Sequence, residues 1–125
     1  MNVPAPSHAE DRVRTITSVF TLHDRADQDT LYELLDANAA DILEHTPGFL
    51  GSTLSRSDDD TTVVHHATWR DEHAVQAMLS APSARAQMAR TRQLAAVHVI
   101  RANINTCYGG ASVPRSGTVT ETPFP

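Results

Sequence analysis

The feature that most constrains this chain is a change of apolar period, repeated in a fixed order between Val13 and Tyr108. Val13 to Leu22 is β-branched and aromatic with no chain breaker, which is the pattern of a strand. Asp27 or Asp29 can cap a helix in which Leu31, Leu35, Asn38 and Ile42 share one stripe, with Leu34 and Ala39 beside it, and Pro47-Gly48 ends it. Phe49 to Ser57 and Thr61 to Trp69 alternate as strands around the turn Asp58-Asp59-Asp60, the pattern of a hairpin. Asp71 opens a second helical stretch that runs to about Leu94 and is interrupted at Ser80-Ala81-Pro82, because proline lacks the N–H a helix interior needs. Val97 to Tyr108 is a last strand. The order β-α-β-β-α-β predicts a ferredoxin-like α+β fold, an antiparallel four-stranded sheet with right-handed crossovers placing the helices on one face.

That arrangement leaves the other sheet face bare, and soluble monomers rarely expose a large contiguous apolar patch. Val64, with Phe49 or Leu50, is expected there, and a second copy packed sheet to sheet would cover it, so a homodimer is predicted. Exchange of the last strand or of the tail between subunits would close the sheet edges further. The expected division is a flexible segment over residues 1–12, the folded domain over 13–108 and a Gly/Pro-rich tail over 109–125.

Several classes drop out. Asp and Glu outnumber the basic residues, all of them arginine, and the net charge of −5 argues against nucleic acid. No apolar run approaches the ~18 residues of a membrane span, and Met1 to Ser7 lacks the basic and apolar regions of a leader, so a cytoplasmic protein without a membrane partner is expected. Cys107 is the only cysteine, so neither an intramolecular disulfide nor a four-cysteine zinc site can form. The seven histidines show no ligand spacing, and neither a phosphate-cradling glycine loop nor a nucleophile motif is present.

The densest chemistry lies in Val63-Val64-His65-His66-Ala67-Thr68-Trp69. Strand alternation puts Val63, His65, Ala67 and Trp69 on one face and Val64, His66 and Thr68 on the other, so His65 and His66 cannot act together. His65 and Trp69 are about 13 Å apart along one strand face, a span suited to a flat polycyclic ligand with a polar group near one end. Trp69 reads equally as a core plug or a pocket wall, His65 as a satisfied half-buried histidine or a base, and Asn38 as an internally bonded amide or a contact for a substrate oxygen. Leu35 lies on the same helix stripe as Asn38.

The segment from Pro47-Gly48-Phe49-Leu50 through Ala67-Thr68-Trp69 and Asp71-Glu72-His73-Ala74 resembles the antibiotic biosynthesis monooxygenase family, in particular its small anthrone oxygenases of aromatic polyketide pathways. The resemblance covers about Val13 to Tyr108 and is most distinctive from Pro47 to Ala74. It implies a dimeric α+β barrel with a pocket between sheet and helices, and oxidation of an anthrone to a quinone by O₂ without flavin, haem or metal. Trp69 matches the family's pocket tryptophan, and His65 stands where those oxygenases carry an asparagine. Val75 stands at a pocket tyrosine, Arg85 or Arg90 lies near a pocket arginine, and Met88 or a neighbour replaces the helix histidine of the haem-degrading branch.

An ionised anthrone can reduce O₂ directly, so the protein need supply only an apolar slot, a base or donor and shelter from water. Taken with the residues, the resemblance implies a cofactor-independent monooxygenase acting on a polycyclic aromatic polyketide, with His65 and Trp69 catalytic and Asn38, Val75, Arg85, Arg90 and Leu35 contacting substrate. A cyclase or aromatase using His65 as base, or a non-catalytic small-molecule binding protein, is the alternative.

Overall fold

The computed structural model describes residues 12–106, 108 and 109. The N-terminal segment through residue 11, Cys107 and the tail from residue 110 lie outside the described residues, and with them the strand or tail exchange. Four strands, β1 (Arg14–Leu22), β2 (Phe49–Arg56), β3 (Thr62–Trp69) and β4 (Ala95–Asn103), form one sheet in the order β2-β3-β1-β4. Every neighbouring pair is antiparallel. Three helices, α1 (Gln28–Asp41), α2 (Glu72–Leu79) and α3 (Pro82–Leu94), complete the ferredoxin-like α+β fold.

Local chemistry accounts for the element ends. Asp27 occupies the N-cap position of α1 but makes no side-chain cap bond; Asp24 instead caps the 3₁₀ turn, Arg25–Asp27, that leads into the helix, its carboxylate accepting from the Ala26 N–H at 2.9 Å. Helix α1 also ends earlier than Pro47-Gly48, at Asp41. A second 3₁₀ turn, Leu43–His45, takes over there, and the Thr46 hydroxyl satisfies the Ile42 carbonyl at 2.8 Å. Asp71 caps α2 through the Ala74 N–H at 2.9 Å, and Pro82 sits in the first turn of α3, where its missing N–H costs nothing. The last strand starts at Ala95 and not Val97, because α3 runs into β4 without a linker and Ala95 pairs with Leu22.

In the β2–β3 turn, Asp59 accepts from the Ser57 hydroxyl at 2.8 Å, the Thr61 hydroxyl at 2.7 Å and the Thr61 N–H at 3.1 Å. These hydrogen bonds hold its carboxyl down to about 2. Gly48 adopts φ +87°, a conformation that favours glycine, and a Cβ there would collide with the Cβ of Ala74. Its carbonyl accepts from the Arg70 N–H at 2.7 Å, so the Pro-Gly-Phe turn is clamped against the end of β3 and the start of α2.

The inward sheet face packs on the helices as two apolar clusters. Ile16, Ala67 and Trp69 join Leu43, Ala74 and Val75 at one end; Phe20, Leu22 and Val63 join Leu31, Leu35 and Ala95 at the other. Of the two residues offered for the bare face, Phe49 or Leu50, Phe49 is not there: a bulge between Phe49 and Gly51 turns it onto Trp69, ring centroids 5.3 Å apart at 67°, and leaves Leu50 exposed. Val64 does lie on the face away from the helices, beside Val19 in the β1–β3 register, and the Thr17 hydroxyl bonds His66 Nδ1 there at 2.8 Å.

Candidate active site

A cavity of about 330 Å³ opens between the sheet and the helices, where the two apolar clusters part. The parting is caused by side-chain identity on the inward sheet face. Along β1 the inward residues run Ile16, Ser18, Phe20, and along β3 they run Ala67, His65, Val63. Ser18 and His65 are register partners, so the two strands place their polar residues at the same level. A serine is too short to fill the space a branched aliphatic would occupy, and an imidazole keeps polar edges that apolar neighbours cannot satisfy. The gap remains beneath α1 and α3.

The wall is mostly hydrocarbon. Ile16, Phe20, Leu35, Leu43, Ala67 and Trp69 line the inner part, and Met78, Ala84 and Met88 come from α2 and α3. Ile42, Leu79 and Val99 line it too and are themselves exposed, which marks the mouth. The polar lining is Ser18, Asn38, Thr46, His65, Ser83, Gln87 and Thr91. His65 is the only titratable side chain among the described residues of the wall, so any proton transfer by a side chain there falls to it.

His65 is half-buried, and its Nε2 is buried without a hydrogen-bond partner. Burial, and secondarily the neighbouring His66, push its pKa below the usual 6.5, so the ring is neutral at pH 7 and can take up a proton. Trp69 is 1% exposed; its indole Nε1 is likewise buried and unpartnered. Its edge-on contact with Phe49 fixes the ring plane.

The other residues singled out in the sequence divide. Asn38 and Leu35 line the cavity from α1. Val75 is fully buried in the core beside Trp69 and does not reach the lining. Arg85 and Arg90 are exposed on α3 and do not line it either, though the Arg90 guanidinium donates to Gln87 Oε1 at 3.1 Å. Ser18, Gln87 and Thr91 were missed. Ser18 carried a signal, a short polar residue between Ile16 and Phe20 at strand spacing, and so did Gln87 and Thr91, a polar pair four apart on one helix face. No group of three His, Cys, Asp or Glu side chains able to hold a metal occurs among the described residues, and no described helix is long and apolar enough to cross a membrane.

Residues 15–90 match the family described as antibiotic biosynthesis monooxygenase. Among solved structures, SnoaB of Streptomyces nogalater, a cofactor-independent oxygenase, is 24% identical at a TM-score of 0.65, covering 77% of this chain and 96% of that one. A monooxygenase from the gene ActVA-Orf6 of Streptomyces coelicolor, solved with the ligand nanaomycin D, is 21% identical at a TM-score of 0.68, covering 86% and 100%. A protein from Mycobacterium tuberculosis is 20% identical at a TM-score of 0.65, covering 80% and 99%. These likenesses show a shared fold. No curated protein matches the sequence.

Proposed function

The chain belongs to the antibiotic biosynthesis monooxygenase family, and from that premise we propose that it is a cofactor-independent monooxygenase that oxidises a polycyclic aromatic of the anthrone type with O₂. The observation that carries the reading is one apolar cavity that holds a neutral, desolvated histidine and an indole on the same strand face.

The chemistry closes without an external reductant. An anthrone methylene has acidic C–H bonds because its carbanion delocalises into a phenolate. His65 takes that proton, and the anion passes one electron to O₂. The resulting radical pair combines to a peroxide anion, which takes the proton back from His65 and then loses water to leave a carbonyl. The methylene supplies four electrons and O₂ accepts four; one oxygen atom enters the product and the other leaves as water. The apolar wall, to which the indole of Trp69 contributes, favours this path by keeping water from the radical pair. A positioned base of this kind contributes about 10²–10⁴-fold. A cavity of about 330 Å³ lies at the small end of the usual range for ligand sites, which suits a compact fused-ring substrate.

We further propose that the active form is a homodimer joined through the open sheet face. Val19, Val64 and Ile100 lie on that face, with Ile100 48% exposed and Leu50 56% exposed.

The test is O₂ consumption with dithranol, an anthrone. Wild type should consume O₂ and form the quinone, His65→Ala should lose about 10²-fold or more, and Trp69→Phe should raise KM more than it lowers kcat. Equal rates in all three proteins exclude the site. Conversion of an aromatic polyketide without O₂ would instead identify a cyclase.

A further inference from the structure

We infer that Gln87, oriented by Arg90, is the residue that recognises an acceptor oxygen on the edge of the ligand. The inference rests on the reading of the cavity as a site for oxygen-bearing fused-ring aromatics and names what in it distinguishes such a ligand from a bare hydrocarbon.

Gln87 is 8% exposed and lines the cavity from α3. Its Oε1 accepts from the Arg90 guanidinium at 3.1 Å. That contact settles which way round the amide sits. Guanidinium nitrogens only donate, so the atom facing Arg90 must be the carbonyl oxygen, and the NH₂ is the end turned away. That Nε2 is buried and has no partner. An amide N–H left unpaired in the interior is costly, and folded proteins tolerate few of them.

The Trp69 indole Nε1 and His65 Nε2 are in the same condition, and all three side chains line one cavity. Amide NH₂ and indole N–H are obligate donors; the neutral imidazole can serve either way. None of the other polar side chains of the lining, Ser18, Asn38, Thr46 and Ser83 among them, hydrogen-bonds these three nitrogens. The Thr91 hydroxyl, one turn further along α3, is already committed to the Met88 carbonyl at 2.9 Å. The wall therefore has surplus donors and wants an acceptor, which a ring carbonyl or phenolate supplies and a hydrocarbon does not. A site built this way discriminates by leaving its own donors unpaired when the wrong ligand binds.

Arg90 does not line the cavity and acts through Gln87 as a positioning residue. Without it the amide can turn over and present its carbonyl, which repels the same ligand oxygen.

The full-length protein should be titrated with 1,8-dihydroxyanthraquinone and with anthracene, the same ring skeleton without oxygens, and Trp69, the only tryptophan, reports binding by its fluorescence. Gln87→Met should weaken the quinone about 10-fold while anthracene changes less than about 2-fold. Gln87→Glu, which keeps a partner for Arg90 but has no donor, should weaken the quinone at least as much. Arg90→Ala should weaken it several-fold, and Arg90→Lys, still a donor to the amide oxygen, should restore it. Parallel loss of both probes in Gln87→Met, or no loss of either, overturns the inference; should that variant not fold, the Gln87→Glu and Arg90 pairs give the same reading. O₂ uptake with dithranol, run alongside, separates the two levels. Discrimination between the probes without O₂ uptake keeps Gln87 and removes the oxygenase; O₂ uptake with no discrimination removes Gln87 alone.

Discussion

Ser18 and His65 face each other across β1 and β3, and the two apolar clusters of the core part at that pair. The cavity thus exists because two inward strand positions are polar. Ser18→Val should partly fill it. Ser18 is 8% exposed, so the added methyls are buried, and the variant should be about 1 kcal/mol more stable in urea unfolding while binding a fused-ring quinone more weakly. A loss of stability would mean that the gap is not spare volume.

With His65 as the proposed base, both activity and stability should depend on pH. Burial lowers its pKa below the usual 6.5, so the unprotonated base persists to lower pH than for a free imidazole. The acid limb of kcat/KM should bend below pH 6.5, and His65→Gln should abolish the bend. The stability effect follows from the same shift. Between the folded pKa and 6.5 the unfolded chain binds more protons, so stability rises with pH through that window, is complete above it and is reduced by a constant amount below it. His65→Leu should flatten that part of the profile in denaturant titrations run from pH 5 to pH 8.

How far these features could be read from the sequence depended on whether a period had a clear sense. In β3 the alternation of Val63, His65, Ala67 and Trp69 against Val64, His66 and Thr68 was unambiguous, and the structure has the first set inward. In β1 both faces carry β-branched or aromatic residues, Ile16 and Phe20 inward but Thr17 and Val19 outward, so the short polar Ser18 signals a gap in the strand without saying which face it opens on. Phe49 changed face because of a bulge, a backbone irregularity that residue types do not announce. Helix α3 hid its contribution for a different reason. Its buried side chains, Gln87 and Thr91, are polar, and a search for an apolar stripe passes over them. Asp24 as the cap of the first helical segment was likewise masked by the equally suitable Asp27 and Asp29.

Gly48 should be intolerant of a side chain for two separable reasons. Its φ of +87° disfavours any L-residue, and a Cβ would strike Ala74 at the start of α2. Gly48→Ala should cost about 2 kcal/mol or more in thermal or urea unfolding. Adding Ala74→Gly should recover the steric part and leave the backbone part, a coupling that a double-mutant cycle reads directly. Additive losses would show that the turn shifts away from α2 instead of colliding with it.

Val64 lies on a central strand, half-buried, with Val19 as its β1 partner, and Ile100 pairs with Thr17 on the same face. A carboxylate placed among them would be solvated in a monomer but desolvated between two packed sheets, where an unpaired charge is strongly disfavoured. Wild type should therefore scatter light with twice the chain mass at micromolar concentration, and Val64→Asp should scatter as a single chain while keeping the same far-ultraviolet circular dichroism. The cavity lies on the opposite side of the sheet, so quinone binding by the Val64→Asp monomer measures whether the second copy shapes the site. Unchanged affinity would confine the dimer's role to covering apolar surface, whereas a loss would show that packing on one face of β3 holds His65 in place on the other. A wild-type protein that scatters as one chain at that concentration would exclude the dimer.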